Sequence, residues 1–406
     1  MLFISSNSLL TLKEESFYTV QFGLLSLSTF LFFLSFNMMI PELPAFLSNL
    51  GGAEYKGLII SLFTLTAGVS RPFSGKLADT IGRVPVMIFG VAVCVFCSLV
   101  YPILSTIWAF FLLRLVHGFS TGFTPTGTAA YLADVIPASR RGEAIGLHSL
   151  TGSIGNALAP VVGSAIAQAY GLDTMFYTSS FLAFISVLIF YQMKETLTAK
   201  ERFQVKLLKI EPNEIVAPKV FPVAIAMILI EIAYGTVLTL APDKSQELGI
   251  ANKGLFFAVM TSTSLLARFL AGKASDRYGR LGILQFSAFL ILLAMIWTAL
   301  ADHSISFLLA GGLYGLGLGM GMPTLFAWTI DLSDKEKIGK AIATTYIALE
   351  VGIGLGALLS GWLANISEGF TMSFVFSGIA SGIAWGFLVW HRKTSLSSSQ
   401  TFERNH

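Results

Sequence analysis

Two carboxylates sit where carboxylates are costly. Glu231 lies in "AMILIEIAYGTVL" and Glu350 in "TTYIALEVGIGLGALLS", each deep in a long apolar run. An ionised carboxylate withdrawn from water is unfavourable unless something pairs with it. Such a group either stays a neutral acid bonded to a carbonyl or hydroxyl, or takes and releases a proton. A third run, "RLVHGFSTGFTPTGTAAYLADV", places Arg114 and His117 three residues apart, on one face of a helix. An arginine there is expected to face a cavity or a carboxylate. His117 is either a hydrogen-bonded packing residue or a proton relay. The chemistry in view is proton transfer rather than bond making. No Cys/His spacing suits a metal, no G-x-x-x-x-G-K-[ST] loop is present, and no Ser-His-Asp logic emerges. Neither metal, cofactor nor enzymatic activity is expected.

The elements that carry these residues follow from composition. The chain is 54% hydrophobic and 12% charged, with a mean hydropathy of +0.74. Soluble domains carry about 25% charged residues. Apolar stretches of about 20 residues, each able to cross about 30 Å of hydrocarbon, recur along the whole length. The first six spans are placed at about 18–41, 55–78, 84–104, 107–133, 143–169 and 173–193. The second six are placed at about 219–241, 252–274, 281–301, 304–330, 340–364 and 370–391. The expected fold is all-α and integral to the membrane, twelve helices in two pseudo-symmetric bundles. Residues 1–193 form the first bundle, 194–218 a polar linker, 219–392 the second bundle and 393–406 a polar, frayed tail. No basic region and cleavage site precede the first span, so it reads as a retained helix. Cys94 and Cys97 share one apolar run and read as packing residues.

Lysine and arginine set the orientation. With both termini in the cytoplasm, Lys13, Lys76, Arg83, Arg140, Arg141, Lys273, Arg277, Arg280, Lys335, Lys337, Lys340, Arg392, Lys393, Arg404 and the linker cations all fall inside. Only Lys56, Lys244 and Lys253 fall outside. The expected location is the cytoplasmic (inner) membrane.

"GKLADTIGRVPV", Gly75 to Val86, returns as "GKASDRYGRLGI", Gly272 to Ile283, at an offset of 197 residues, close to half of 406. Arg71 pairs with Arg268, Asp134 with Asp331 and Gly155 with Gly352 at the same offset of 197. A parallel repeat of six spans implies one transport path between two bundles. Arg71, Gly75 and Asp79 share a helix face. Gly75 admits a close neighbour, and Asp79 can accept from the open N–H groups of another helix's N-terminus. Gly82 permits the turn, and Arg83 supplies a counter-charge. These groups make a latch able to exchange partners.

The stretch resembles the loop 2–3 signature of the major facilitator superfamily, G-x-L-A-D-x-x-G-R-[RK]. Gly75, Leu77, Ala78, Asp79, Gly82 and Arg83 match, and Val84 departs. The second copy keeps Gly272, Asp276, Gly279 and Arg280. The resemblance implies that Asp79 meets the start of the eleventh helix near Gly339 and Lys340 in the outward-open state. Asp276 would then meet the region of Arg141 and Gly142, with Asp134, Arg140 and Asp331 as further gating residues. The fifth span, "GLHSLTGSIGNALAPVVGS", is similar to the antiporter signature of the drug:proton exporters. Gly146, Gly155, Pro160 and Gly163 match, while Ala159 and Ser164 stand for glycines. Ordinary small-residue packing would give the same pattern. Arg114 resembles the basic residue of exporters, within R-x-x-x-G completed by Gly118.

Asn37, Phe123, Tyr131, Tyr234, Phe326 and Trp328 are candidates to line a cavity, and Glu42 lies at its outer mouth, solvated or attracting cations. Glu231, Glu350, Arg114 and His117 are the candidates for proton coupling. Arg71 and Arg268 are assigned to gating. The leading reading is a proton-coupled exporter of small amphipathic or cationic compounds. Its expected partners are the substrate, protons and the bilayer, with no nucleic acid, and the family implies a monomer. A proton symporter for a sugar, organic acid or other nutrient shares the fold. A non-transporting sensor is disfavoured by a latch kept in both halves.

Overall fold

The computed structural model describes residues 18–137, 140–210, 216–334, 338–367 and 369–404, and all their side chains except those at 141–142, 270, 272–273 and 395–404. Lys13, Lys335 and Lys337 fall outside the described residues, as do the side chains of Arg141, Gly142, Gly272, Lys273 and Arg404.

Among the described residues, twelve long helices follow one another. In the first half these are α1 Val20–Met38, α2 Lys56–Thr80, α3 Arg83–Val100, α4 Ile107–Val135, α5 Arg141–Tyr170 and α6 Leu172–Gln192. In the second they are α7 Phe221–Glu247, α8 Leu255–Tyr278, α9 Arg280–Leu300, α10 Ser304–Leu332, α11 Ile338–Ile366 and α12 Thr371–Arg404. Local chemistry sets several boundaries. Thr19 and Thr106 accept from the first-turn N–H groups of Phe22 (3.2 Å) and Ala109 (3.3 Å), satisfying donors no helix can satisfy itself. Gly82 (φ 125°) and Gly279 (φ 80°) turn the chain between α2 and α3 and between α8 and α9, in a region L side chains avoid.

Nine of the described helices are apolar enough over an 18-residue window to cross a membrane unaided. α2, α4 and α8 fall short, because their polar groups face protein: Ser70, Ser74, Arg114, His117, Ser120 and Ser264 are all buried. Two expectations shift. α7 continues through Pro242 to Glu247, so its outer end is helical rather than loop. α12 continues as helix to Arg404, into the 393–406 stretch expected to fray, where residues 393–404 are free of glycine and proline.

The two bundles repeat their packing. α1 packs on α5 and α6, α2 on α4, and α3 on α4 and α6. α7 packs on α11 and α12, α8 on α10, and α9 on α10 and α12. Between bundles, α2 meets α11 and α5 meets α8, which are again equivalent seams.

The repeat extends to side chains. Arg83 binds Asp79 at 2.9 Å and Asp134 at 3.1 Å. Arg280 binds Asp276 at 2.5 Å and Asp331 at 2.9 Å. Each arginine thus ties the turn between two helices to the end of a third. One feature breaks the symmetry. Glu195, at the start of the linker, accepts from the N–H groups of Arg83 (3.0 Å) and Val84 (3.1 Å), placing a carboxylate on the N-terminus of α3. The position 197 residues on is Arg392, which donates to Gln285 Oε1 at 3.3 Å instead.

Candidate functional site

The face bearing the linker and the two Gly–Arg turns is called the linker face below. At the opposite face the bundles are joined. Lys56 pairs with Asp243 at 2.6 Å, and Lys253 pairs with Glu42 at 3.1 Å. Asn252 donates to the Val161 carbonyl at 3.0 Å, and Asn365 to the Glu54 carbonyl at 2.5 Å. Backbones touch there: a methyl placed on Gly57 would sit 2.6 Å from the Ala357 carbonyl, and one on Gly361 2.7 Å from Gly57. Toward the linker face the seams loosen. Nothing lies within 4 Å of where a side chain would start at Gly75, Gly146 or Gly339. Arg268, well inside α8, is solvent-exposed.

Between these ends lies a cavity of about 80 Å³, lined by α1, α5, α7, α8 and α10. Its polar wall is formed by Asn37, Asn156, Tyr234, Thr261, Ser264 and Arg268, and its apolar wall includes Ile40, Phe257 and Met260. This volume holds a few waters. Sites for drug-sized solutes measure about 300–1,000 Å³, so binding one requires the bundles to part. Asn37 Nδ2 donates to Asn156 Oδ1 at 2.7 Å and Arg268 to Ser153 Oγ at 3.3 Å, closing the wall with exchangeable bonds.

Two carboxylates stand behind this wall in different states of pairing. Glu350 (7% exposed) receives Arg71 Nη2 at 2.6 Å across the α2–α11 seam. The same guanidinium lies 4.4 Å over the Tyr346 ring. Glu231 (1% exposed) has no cation, and its Oε1 has no hydrogen-bond partner among the described residues. It is packed against Gly352, where an added methyl would meet its Cβ at 2.8 Å. The Tyr314 hydroxyl and Ser264 Oγ are also unpartnered among the described residues. Arg268 has no carboxylate partner among the described residues. One lone cation therefore lines the cavity, one lone acid sits a turn from its wall at Tyr234, and one ion pair spans the α2–α11 seam between the bundles.

The remaining candidates go elsewhere. Arg114, expected to face a cavity or a carboxylate, lies inside the first bundle, fully buried and without a carboxylate among the described residues. Its Nε donates to the Ile59 carbonyl at 2.7 Å and its Nη1 to the Tyr101 hydroxyl at 3.1 Å, and the Phe63 ring lies 4.6 Å away. A carbonyl, a phenol and a ring face take up part of the charge, while Nη2 has no hydrogen-bond partner among the described residues. His117 shares the Tyr101 hydroxyl at 3.2 Å and leaves Nε2 unpartnered. Glu42 is not solvated: it is 5% exposed and also accepts from Ser164 Oγ at 2.6 Å, which makes it part of the opposite-face closure. Tyr131 bonds Gln21 and the Lys194 carbonyl, Phe326 packs on Tyr346 at 4.8 Å, and Trp328 on His391 at 5.5 Å. Phe123 faces an apolar groove near the linker.

In the antiporter-like helix, Gly155 abuts the Phe30 carbonyl, where a methyl would sit at 2.9 Å, and Gly163 abuts the Met38 backbone. Both let α1 approach α5. Gly352 plays the equivalent part between α11 and α7. Pro160 lines the cavity and touches Gly254, the residue that precedes α8. Arg140 pairs with Glu143 at 2.5 Å. Asn156, Tyr314 and Tyr346 escaped the sequence reading. Asn156 carried a signal, as an amide one turn before Pro160, whereas nothing in the spacing of the two tyrosines sets them apart.

Asp79 pairs among the described residues with Arg83 alone and is 72% exposed, so the contact with α11 is not made in this conformation. Asp79→Asn is expected to leave substrate affinity within about twofold while slowing turnover about tenfold, since a group that differs between two states changes their exchange rather than binding. Equal loss of affinity and turnover, measured by equilibrium binding and vesicle flux, would refute the latch.

Comparison with known proteins bears on the same architecture. The chain is 27% identical over 350 residues to the multi-drug resistance efflux pump PmrA of Streptococcus pneumoniae, covering 82% of this chain and 86% of that one. It is 26% identical over 391 residues to multidrug resistance protein 2 of Bacillus subtilis, covering 92% and 95%. Multidrug resistance protein MdtG of Enterobacter lignolyticus is 25% identical over 362 residues, 84% of each chain. In fold it resembles the nucleoside transporter NupG (TM-score 0.74, 14% identity, 91% of this chain and 99% of that one). It also resembles the human organic anion transporter MFSD10 (TM-score 0.70, 16% identity, 90% and 98%). The Major Facilitator Superfamily profile matches residues 25–260 and 223–405, two overlapping ranges that together span nearly all of the chain. This twelve-helix, multi-pass membrane protein is a transporter and belongs to the Major Facilitator Superfamily.

Proposed function

We propose that the chain exports small amphipathic or cationic compounds across the cytoplasmic membrane in exchange for protons, by alternating access between its two bundles. The observation that carries this reading is the lone carboxylate of Glu231, one turn from the cavity wall at Tyr234. An unpaired buried carboxylate is costly, and either a proton or a cation removes that cost. The two therefore compete for one site, which is the logic of exchange. Glu350, by contrast, already has a cation, Arg71, at 2.6 Å. The positive-inside pattern puts the linker face and both termini in the cytoplasm. In that orientation the cavity is shut toward the outside, and substrate enters from the cytoplasm once the linker-face seams widen. The names of the bacterial relatives support efflux. A monomer contains the whole path.

Uptake by symport is the second reading. It rests on Asn37, Asn156 and Arg268, whose amides and cation suit a hydroxylated or acidic solute. Inside-out vesicles with an acidic lumen separate the two. Under export, a cationic dye accumulates in the lumen and drains the proton gradient. Under symport, no dye does so, and a sugar or acid alkalinises the medium on entering right-side-out vesicles.

A further inference from the structure

A second concavity lies away from the transport path, on the flank of the first bundle. It measures about 690 Å³ and is bounded by α2, α3, α4 and the linker. Its lining is almost wholly apolar, with Val69, Phe73, Phe89, Phe119, Phe123 and Phe203 among the contributors. Along α2 it runs from Val69 to Ile81, about 18 Å at 1.5 Å per residue. That matches one leaflet, half of about 30 Å of hydrocarbon. The linker supplies its outer wall. Leu207 is inserted among Leu77, Ala78, Val86 and Phe123, and Phe203 and Leu208 flank the groove. This wall is anchored: the Glu201 N–H donates to the Thr80 carbonyl at 2.9 Å, and Lys76 Nζ to the Lys209 carbonyl at 2.6 Å.

The wall is basic. Lys200, Arg202, Lys206 and Lys209 stand against one carboxylate, Glu201, between positions 200 and 209. Lys206 and Lys209 are exposed and make no ion pair among the described residues. The groove is also where the repeat fails. At the 197-residue offset, Phe73, Phe119 and Phe123 become Leu270, Leu316 and Met320. The elements shared by both halves serve the alternating cycle, so a feature present in one half only serves something else.

We infer that this groove holds one acyl chain of an anionic glycerophospholipid, with the phosphate on Lys206 and Lys209 at the linker face. The apolar lining takes the chain and the unpaired ammonium groups select the headgroup. The inference is independent of which solute is transported.

The test is native mass spectrometry of the full-length protein in detergent, with equimolar phosphatidylglycerol and phosphatidylcholine of identical chains. Wild type should retain one phosphatidylglycerol with a preference of about thirtyfold, the scale expected of two lysines near an anionic headgroup. Lys206→Gln with Lys209→Gln should retain the two lipids equally. Phe203→Ala with Leu208→Ala, both on the linker and away from the bundle core, should retain neither. An unchanged thermal midpoint verifies folding of both variants. No headgroup preference in wild type, or a preference that survives the lysine changes, would overturn the inference. So would equal competition by glycerol phosphate, which has no chain, or displacement of the lipid by a cationic dye or a second copy of the protein.

Discussion

Glu231→Gln is expected to uncouple the transporter. Glutamine keeps the shape of the neutral acid and cannot release a proton. A pH gradient of two units stores about 1.4 kcal/mol per unit for each proton, enough for about 100-fold accumulation of a substrate exchanged one for one. Wild type in inside-out vesicles should approach that ratio, and Glu231→Gln should remain near unity. Substrate–substrate exchange needs no proton and, at substrate concentrations that saturate the weakened site, should survive within about threefold, because the alternating movement is intact. That split separates a coupling residue from one that only stabilises the fold. Accumulation equal to wild type in the variant would remove Glu231 from the mechanism. Loss of exchange and accumulation together would assign it to structure.

Breaking the pair behind the cavity should have the second largest effect. Arg71 and Glu350 meet at 2.6 Å across the α2–α11 seam, both largely buried. Removing one partner strands the other charge, at a cost of about 3–5 kcal/mol. Glu350→Gln and Arg71→Gln should each lower the thermal midpoint and reduce flux severely. Arg71→Met combined with Glu350→Leu leaves no stranded charge and should recover most of the stability but not the flux, since the pair also orders the seam that must open and close. The cycle of single and double variants reads the coupling directly. Additive losses would mean that the two side chains do not depend on each other. Arg71 retains Tyr346, whose ring lies 4.4 Å below it, so Glu350→Gln should be the milder single change.

The architecture was legible because bilayer physics is coarse. A span must be long and apolar, and the repeat at 197 residues is visible in the sequence. The Arg83 and Arg280 triads follow the same repeat, since Asp79, Asp134, Asp276 and Asp331 occupy equivalent places. The site was harder. Both glutamates were visible as charges in apolar runs, but pairing depends on another helix, and nothing in sequence tells that Arg71 reaches Glu350 and no cation reaches Glu231. Arg114 was misplaced for the opposite reason. Its charge is met in part by a carbonyl, a phenol and a ring, and none of these has a signature in sequence. Glu42 was read as solvated or as attracting cations at an outer mouth, yet it is buried against Ser164 and Lys253 at the closed end of the seam. Aromatic residues were least informative. Tyr234 reached the cavity, while Phe123, Tyr131, Phe326 and Trp328 went to other interfaces.

The central claim is that proton and substrate compete for Glu231. It is tested most directly by the affinity for a monovalent cationic dye, measured by equilibrium binding across a pH series on purified wild type and Glu231→Gln. In wild type, raising the pH removes the proton and leaves the carboxylate for the dye, so binding should tighten, by up to about tenfold per unit, until the acid is fully ionised. In Glu231→Gln the profile should be flat. A flat wild-type profile, or the same slope in both proteins, would contradict the account.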